Sequence, residues 1–524
     1  MAETRPKILR GAPRAGFANL VDRIRRVPWE AVAVGLGLFA VLALFVGADP
    51  SAAGTASTSP FTDEAYNVVN ARNLIQLGRW SVDPWNLYLV NLPFSVLIAV
   101  GFKLLGVGMI QARLVTIACV SLASAALAWG LRGVVGRVPA VVAGVAFATS
   151  GLILFYGRLA YLEDLVVLGL TLGFLVLART DRLTFRWGLV AGICFAIAIG
   201  TKPNAAFPVA GILFALAVFQ RKGTWRWIGG CLAVIALAGA AWAVFVWLPN
   251  RAAVSIDLQI WPQNTLPQNP IQWAVQALAY PVRSDGVVGW MLGPLLALAG
   301  AAVAAIIGLR KRLTATEGRL ALASLGWLAF SFGILLVVTY RPNRYVIQDV
   351  PALAVLVAVA LSAVRRWLDE RAAALNGATP DAAPEAPTVG QRRLRFSTAN
   401  LLVIAAVVFL SAPGIVQYAS WMNGATYSLP QIENQFANTV PDGQTVAGYP
   451  AALFFMKSHA IAITTGALNP ALDNADLYAT GVRWYLQAQS DPAPFGVPAS
   501  AWSARQTVTC AVWRGYSFCL FKVP

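Results

Sequence analysis

Eleven apolar stretches follow one another along the chain, at 31–47, 113–131, 138–155, 164–178, 187–201, 204–219, 227–248, 287–309, 320–339, 345–364 and 399–418. A hydrocarbon core about 30 Å thick takes roughly 17–25 apolar residues per spanning helix, so each stretch predicts one crossing. The polar intervals alternate in charge. Arg5, Lys7, Arg10, Arg14, Arg23, Arg25 and Arg26 precede the first stretch. On the same side of the count fall Arg132/Arg137, Arg179/Arg182/Arg186, Arg221/Lys222/Arg226, Arg310/Lys311/Arg312/Arg319, Arg365/Arg366/Arg371 and Arg392/Arg393/Arg395. Cytoplasmic loops collect Lys and Arg, so the N-terminus is expected in the cytoplasm and the C-terminus outside.

Residues 92–107 are apolar enough to count as a twelfth crossing. If they crossed, every later basic cluster would face outward. They are therefore expected to form an interfacial or re-entrant helix, with Lys103 reaching the headgroups. The first external segment then runs from 48 to 112, too long for a plain connector.

Composition agrees with this picture. The chain is 58% hydrophobic and 12% charged, with mean hydropathy +0.64, which excludes an ordinary soluble domain. The net charge of +17 follows from topology and anionic lipid, and does not imply a nucleic-acid partner. The basic leader is long and no small-residue cleavage site follows Val46, so the first stretch is not read as a signal peptide.

Four parts are expected: a basic cytoplasmic leader (1–30), a membrane module (31–364) with external loops at 48–112 and 249–286, a disordered cytoplasmic linker (365–398), and a last span (399–418) leading to an extracytoplasmic α+β domain (420–524). In that domain Gln444–Gly448 and Gln506–Cys510 read as strands, and the region of Asp476–Gln489 as a helix. Cys510 and Cys519 flank a two-residue hairpin turn at Arg514-Gly515, which places them opposite each other. A disulfide and two free thiols both fit. Cys119, Cys194 and Cys231 lie in apolar stretches and read as inert fillers.

Two acidic clusters fall on the outer side. In Thr62-Asp63-Glu64-Ala-Tyr66-Asn67, Thr62 can cap a helix whose polar face carries Asp63, Asn67 and Asn70, while Val68, Ala71 and Ile75 face lipid. In Tyr156-Gly157-Arg158-Leu-Ala-Tyr161-Leu-Glu163-Asp164, two acids stand at the mouth of a span, where ionisable groups are costly and tend to mark function. The bland readings are a capped surface helix and an Arg158 ion pair closing a short loop. Few basic residues lie outside: Arg113, Arg158, Lys202, Arg283, Arg341 and Arg344. Several sit at span ends where a lipid phosphate, or only a headgroup, would meet them.

One series of motifs ties these together: Asp63-Glu64…Gly78-Arg79-Trp80, Asn91-Leu92-Pro93…Phe102-Lys-Leu-Leu-Gly-Val107, Ala112-Arg113-Leu114, Gly157-Arg158-Leu-Ala…Glu163, Gly200-Thr-Lys202-Pro203 and Arg344-Tyr345…Pro351-Ala-Leu. In this order, over roughly 50–350, the chain resembles the GT-C glycosyltransferase superfamily. The similar branch holds the protein O-mannosyltransferases and the lipid A aminoarabinose transferases. The resemblance implies a polytopic α-helical membrane protein of GT-C type, with about 11 spans plus interfacial helices in the first external loop. It also implies a polyprenyl-phosphate-sugar donor and inversion at the anomeric carbon. Asp63 matches the first acidic position and Glu163 the second, with Asp164 its alternative. Arg158, Lys202 and Arg344 match basic positions near the donor phosphate, and Glu64, Tyr161 and Arg341 stand beside them as candidate substrate contacts. The chain departs from the pattern where Glu163-Asp164 lacks a following Pro and where a proline pair is reduced to Leu92-Pro93. Both departures leave the acceptor open.

The expected chemistry is removal of an acceptor hydroxyl proton by Asp63 while cations stabilise the departing polyprenyl phosphate. It requires no metal, although nothing forbids a divalent ion. The lone His459 lies in the tail. The expected partners are membrane lipids, the donor, and an envelope glycolipid, glycan or protein acceptor at the outer face of a bacterial inner membrane. The loop 249–286 reads as a candidate lid. A transporter or lipid flippase, or a non-catalytic envelope assembly factor, is the alternative. A charged translocation path would place charges at mid-depth, where the spans here carry almost none.

Overall fold

The structure, a computed structural model, describes residues 28–50, 63–80, 91–179, 183–219, 223–251, 299–337, 343–375, 398–448, 451–463, 477–490, 492–494, 496–513 and 515–524. Residues 1–27 of the basic leader, Thr62, Arg341, nearly all of the candidate lid and residues 376–397 of the candidate linker lie outside this set.

Each apolar stretch contributes helix. Single helices run Trp29–Ala43, Met109–Gly130, Leu162–Arg179, Phe185–Thr201, Ala206–Phe219, Thr224–Trp242, Ala299–Gly308, Ala315–Val337, Val350–Leu375 and Thr398–Asn423. The last turns of Val350–Leu375 extend into the segment expected to be linker. Among the described residues, four helices are long and apolar enough to cross a membrane by length and composition: Met109–Val135, Thr224–Trp247, Ala315–Leu335 and Arg344–Arg371. Leu44, Leu122, Leu237 and Phe245 stand exposed along the apolar helices, as on a surface that meets lipid. The chain is a multi-pass membrane protein.

The stretch at 138–155 breaks. It forms Arg137–Ala148 and Gly151–Tyr156, separated where Ser150 adopts φ −57°, ψ 130°. The break is a docking point for Thr398–Asn423. Gly414 lies so close to the Thr149 carbonyl and to Gly151 that a Cβ there would clash, and the Thr149 and Ser411 hydroxyls are 2.6 Å apart. Small residues permit such close approach between membrane helices. Gly211 against Gly326 brings Ala206–Phe219 and Ala315–Val337 together in the same way.

Between residues 48 and 112, helices Glu64–Leu77 and Leu92–Leu105 pack against each other. Glu64–Leu77 does not rest on lipid by one apolar face, as its alternation suggested. Glu64, Ala65, Asn67, Val68, Val69, Asn70, Ala71, Arg72 and Asn73 are all buried, because both Leu92–Leu105 and helix Ala451–Phe454 of the tail pack on this helix. Val68, Phe94, Ile98 and Phe102 share one core with Phe436, Phe454 and Phe455 of the tail.

The tail begins with helix Leu429–Ala437 and carries a five-stranded sheet in the order β2-β1-β3-β5-β4. The strands are β1 (Thr445–Ala447), β2 (Ile461–Ile463), β3 (Trp484–Ala488), β4 (Gln506–Trp513) and β5 (Tyr516–Lys522). β1 is parallel to β2 and β3, while β5 is antiparallel to β3 and β4. The expected helix near 476–489 is instead a turn followed by β3. Trp484, Tyr485 and Leu486 are consecutive and buried, which suits an inner strand covered on both faces and not a one-sided helix. Cys510 pairs with Cys519 across β4 and β5, and the two form a disulfide.

Candidate active site

Four charged residues from four parts of the chain meet at one end of the helical bundle. Asp63 immediately precedes helix Glu64–Leu77; its side chain makes no capping bond and turns instead to Arg344. Glu163 lies in the first turn of Leu162–Arg179. Lys202 follows Phe185–Thr201 with an extended backbone, φ −151°, ψ 115°, and Pro203 stops the helix from continuing. Arg344 lies in the 3-10 segment Asn343–Asp349, which leads into Val350–Leu375.

The contacts form a chain of alternating charge. Asp63 Oδ2 is 2.5 Å from Arg344 Nη2, Arg344 Nε is 3.3 Å from Glu163 Oε1, and Lys202 Nζ is 2.5 Å from the same Glu163 oxygen. Lys202 also lies over the Tyr345 ring at 4.1 Å, and Arg344 lies 5.7 Å from the Tyr161 ring. Exposure separates the two acids: the Asp63 side chain is 40% exposed and that of Glu163 4%. Burial, reinforced by the nearby Arg344 charge, holds the Lys202 pKa below the ordinary lysine value although Glu163 pulls the other way. Burial pushes the Tyr161 hydroxyl well above its usual range.

Of the consecutive acids, Glu163 is the one that meets the cations. Asp164 is fully buried, and neither of its carboxyl oxygens has a hydrogen-bond partner among the described residues. Glu64 and Arg158 belong to the layer beneath the site. Glu64 receives Arg113 through both carboxylate oxygens, each at 2.8 Å, and accepts the Ala160 N–H at 2.8 Å. Burial alone would raise its pKa, but the Arg113 guanidinium more than offsets this and holds the carboxyl below its ordinary value. Arg113 also donates to the Val46 and Ala48 carbonyls. Arg158 donates to Ala48 and Asp49 carbonyls and stacks 4.1 Å over Trp421, and burial with the neighbouring Arg113 lowers its pKa to about 9. Both side chains are buried, Glu64 at 0% and Arg158 at 1% exposure.

Two residues that the sequence did not single out anchor this layer. The Asp49 carboxylate accepts from Thr426 Oγ1 (2.7 Å), Ser428 Oγ (2.7 Å), Ser428 N (3.0 Å) and Leu429 N (3.1 Å), so it caps Leu429–Ala437 from a distant part of the chain. Arg72 clasps carbonyls of the tail. A lone acid at the end of a span and an Arg inside an external helix were the available signals. Among the described residues no group of three or more His, Cys, Asp and Glu could hold a metal ion.

The fold and the motifs agree with known proteins. Residues 92–248 match the family described as dolichyl-phosphate-mannose-protein mannosyltransferase. The chain carries the GT-C glycosyltransferase fold, as its motifs implied. It is similar in structure to ArnT from Cupriavidus metallidurans bound to undecaprenyl phosphate, with TM-score 0.62, 14% identity, 97% of this chain and 98% of that chain covered. It is also similar to the apo oligosaccharyltransferase of Archaeoglobus fulgidus (TM-score 0.53, 13% identity, 88% of this chain and 70% of that one). The arabinofuranosyltransferase AftD from mycobacteria gives TM-score 0.51 at 16% identity, over 94% of this chain and 40% of that one. No curated protein sequence matches the chain.

Proposed function

We propose that this protein is an inverting glycosyltransferase that moves one sugar from a polyprenyl-phosphate donor to an envelope lipid, glycan or protein at the outer face of a bacterial inner membrane. The observation that carries the reading is the Asp63–Arg344–Glu163–Lys202 chain: one open carboxylate held beside two cations at the end of the bundle. The undecaprenyl phosphate bound by the ArnT of similar fold supports a lipid-phosphate donor. The acceptor hydroxyl attacks the sugar C1 while Asp63 takes its proton, and the bond from C1 to the phosphate oxygen breaks. The polyprenyl phosphate leaves with the electron pair, and a single displacement inverts the anomeric carbon. A positioned general base of this kind contributes about 10²–10⁴-fold.

Arg344 and Lys202 supply the positive charge for the donor phosphate. Without donor, Arg344 pairs with Asp63. A phosphate that draws Arg344 toward itself loosens that pair and leaves the carboxylate available to the acceptor. Glu163 keeps both cations in place, and Arg341 is a further candidate contact for the donor phosphate.

The test is turnover by the full chain in lipid nanodiscs, supplied with a panel of radiolabelled undecaprenyl-phosphate sugars and envelope extract. Release of free undecaprenyl phosphate with label on an acceptor, and inverted anomeric configuration by NMR, is the expected result. Donor that crosses the bilayer intact, or is never consumed, overturns the reading in favour of a flippase or an assembly factor.

A further inference from the structure

We propose that Arg72 is a positioning residue for the transfer site, fastening the helix that presents Asp63 to the tail domain so that the tail helps hold the base in place. This rests on Asp63 being the base. Arg72 is wholly buried in the middle of Glu64–Leu77. Its guanidinium donates to the carbonyls of Phe455 (3.0 Å), Met456 (3.3 Å), Ala460 (2.7 Å) and Ser458, and to Asn73 Oδ1 (2.8 Å). Among the described residues no carboxylate pairs with it. Desolvating a guanidinium is costly, and here the compensation comes from the converging carbonyls of one turn. That turn leads directly into β2, and Gly443 N–H donates to the His459 carbonyl on its far side.

The front of the same helix is traced to the tail by a second route. Glu64 is held by Arg113, Arg113 and Arg158 share the Ala48 carbonyl, and the Asp49 carboxylate caps the first helix of the tail. Glu433 of that helix also accepts the Met109 N–H at 3.4 Å. The front and the middle of this helix are therefore both tied to the tail. Arg72 lies nine residues beyond Asp63, about 13 Å along a helix of ordinary rise, so releasing it lets the front tilt. A misplacement of about 1 Å at a reacting group can cost about 10²-fold.

The experiment uses the full chain in nanodiscs with Arg72→Ala and Arg72→Lys, read by turnover, donor KM and amide hydrogen exchange. Lysine keeps the charge and loses the planar fork. The expected result is a kcat reduced about a hundredfold in Arg72→Ala and about tenfold in Arg72→Lys, with donor KM within about twofold. Exchange should quicken in both 455–460 and 63–68. Unchanged kcat, or faster exchange confined to 455–460, overturns the proposal. If Arg72→Ala fails to fold, Arg72→Lys decides alone. If the unaltered protein transfers no sugar, the functional reading fails, while exchange in the two segments still decides whether Arg72 couples them.

Discussion

Asp63 and Glu163 share one cation: Arg344 reaches the first at 2.5 Å through Nη2 and the second at 3.3 Å through Nε. The sharing is unequal. Glu163 also has Lys202 at 2.5 Å and is closed off, whereas Asp63 has a large open face. On the proposed function, an acceptor hydroxyl reaches the open carboxylate, while the closed one holds two positive groups for the donor phosphate.

Replacing Asp63 by Asn keeps the shape and removes the proton acceptor. Transfer should fall by about 10²–10⁴-fold. Binding of undecaprenyl phosphate should persist or strengthen, since Arg344 loses a competing anion. Turnover and lipid binding measured on the same preparation check this. Normal turnover in the Asp63→Asn variant would reject Asp63 as the base.

Lys202 gives the site a pH dependence with a definite sign. Its pKa lies below the ordinary lysine value, so its charge disappears as pH rises through that lowered value, earlier than for a free lysine. Undecaprenyl phosphate affinity should therefore decline on the alkaline side, and Lys202→Arg should move the decline to higher pH because a guanidinium holds its proton more tightly than an ammonium. Lys202→Met should weaken binding at all pH values, by roughly the 1.5–3 kcal/mol of a hydrogen bond to a charged group. Titration of lipid affinity between pH 7 and 10 distinguishes the three.

How much of this was legible follows from which forces act locally. Apolar runs revealed their helices because lipid imposes a length and an apolar composition. The break at Thr149–Ser150 stayed hidden because its cause is a partner helix, with Ser411 and Gly414, far along the chain. Asp63, Glu163, Lys202 and Arg344 were found by their unusual chemistry at span ends. Glu64 and Arg158 looked similar by that criterion, yet both are buried beneath the site; only contacts with Arg113, Ala48 and Asp49, invisible in a local window, separate them. Residues 476–489 misled for a related reason. Their fate depends on pairing with β1 and β5, and such non-local pairing overrides local helical periodicity.

The Glu64–Arg113 pair is closed to water, at 0% and 1% exposure, and bidentate. Removing one partner of such a pair strands the other charge, which costs about 3–5 kcal/mol. Glu64→Gln and Arg113→Met should each lower thermal stability sharply. The double variant should recover part of the loss, a coupling that is read from a double-mutant cycle. Additive losses would show that the two side chains act independently.

Asp49 should make the docking of the tail sensitive to acid. Its carboxyl is held below the ordinary value: burial alone would raise it, but the Ser428 and Thr426 hydroxyls and the Ser428 and Leu429 amides more than offset that. The sign follows from linkage. A carboxyl depressed in the folded state contributes stability in full above its unfolded pKa, about 3.9, and that contribution disappears as pH falls through the folded value. Protection of the amides over 429–437, referred to the intrinsic exchange rate at each pH, should therefore be high and constant above about pH 5, then decline as the medium is taken below about pH 4. Asp49→Asn should show faster exchange at neutral pH, and its difference from the unaltered chain should shrink in acid as the native carboxylate becomes protonated. A difference that stays the same from pH 7 down to pH 3 would mean that the charge of Asp49 does not hold the tail in place.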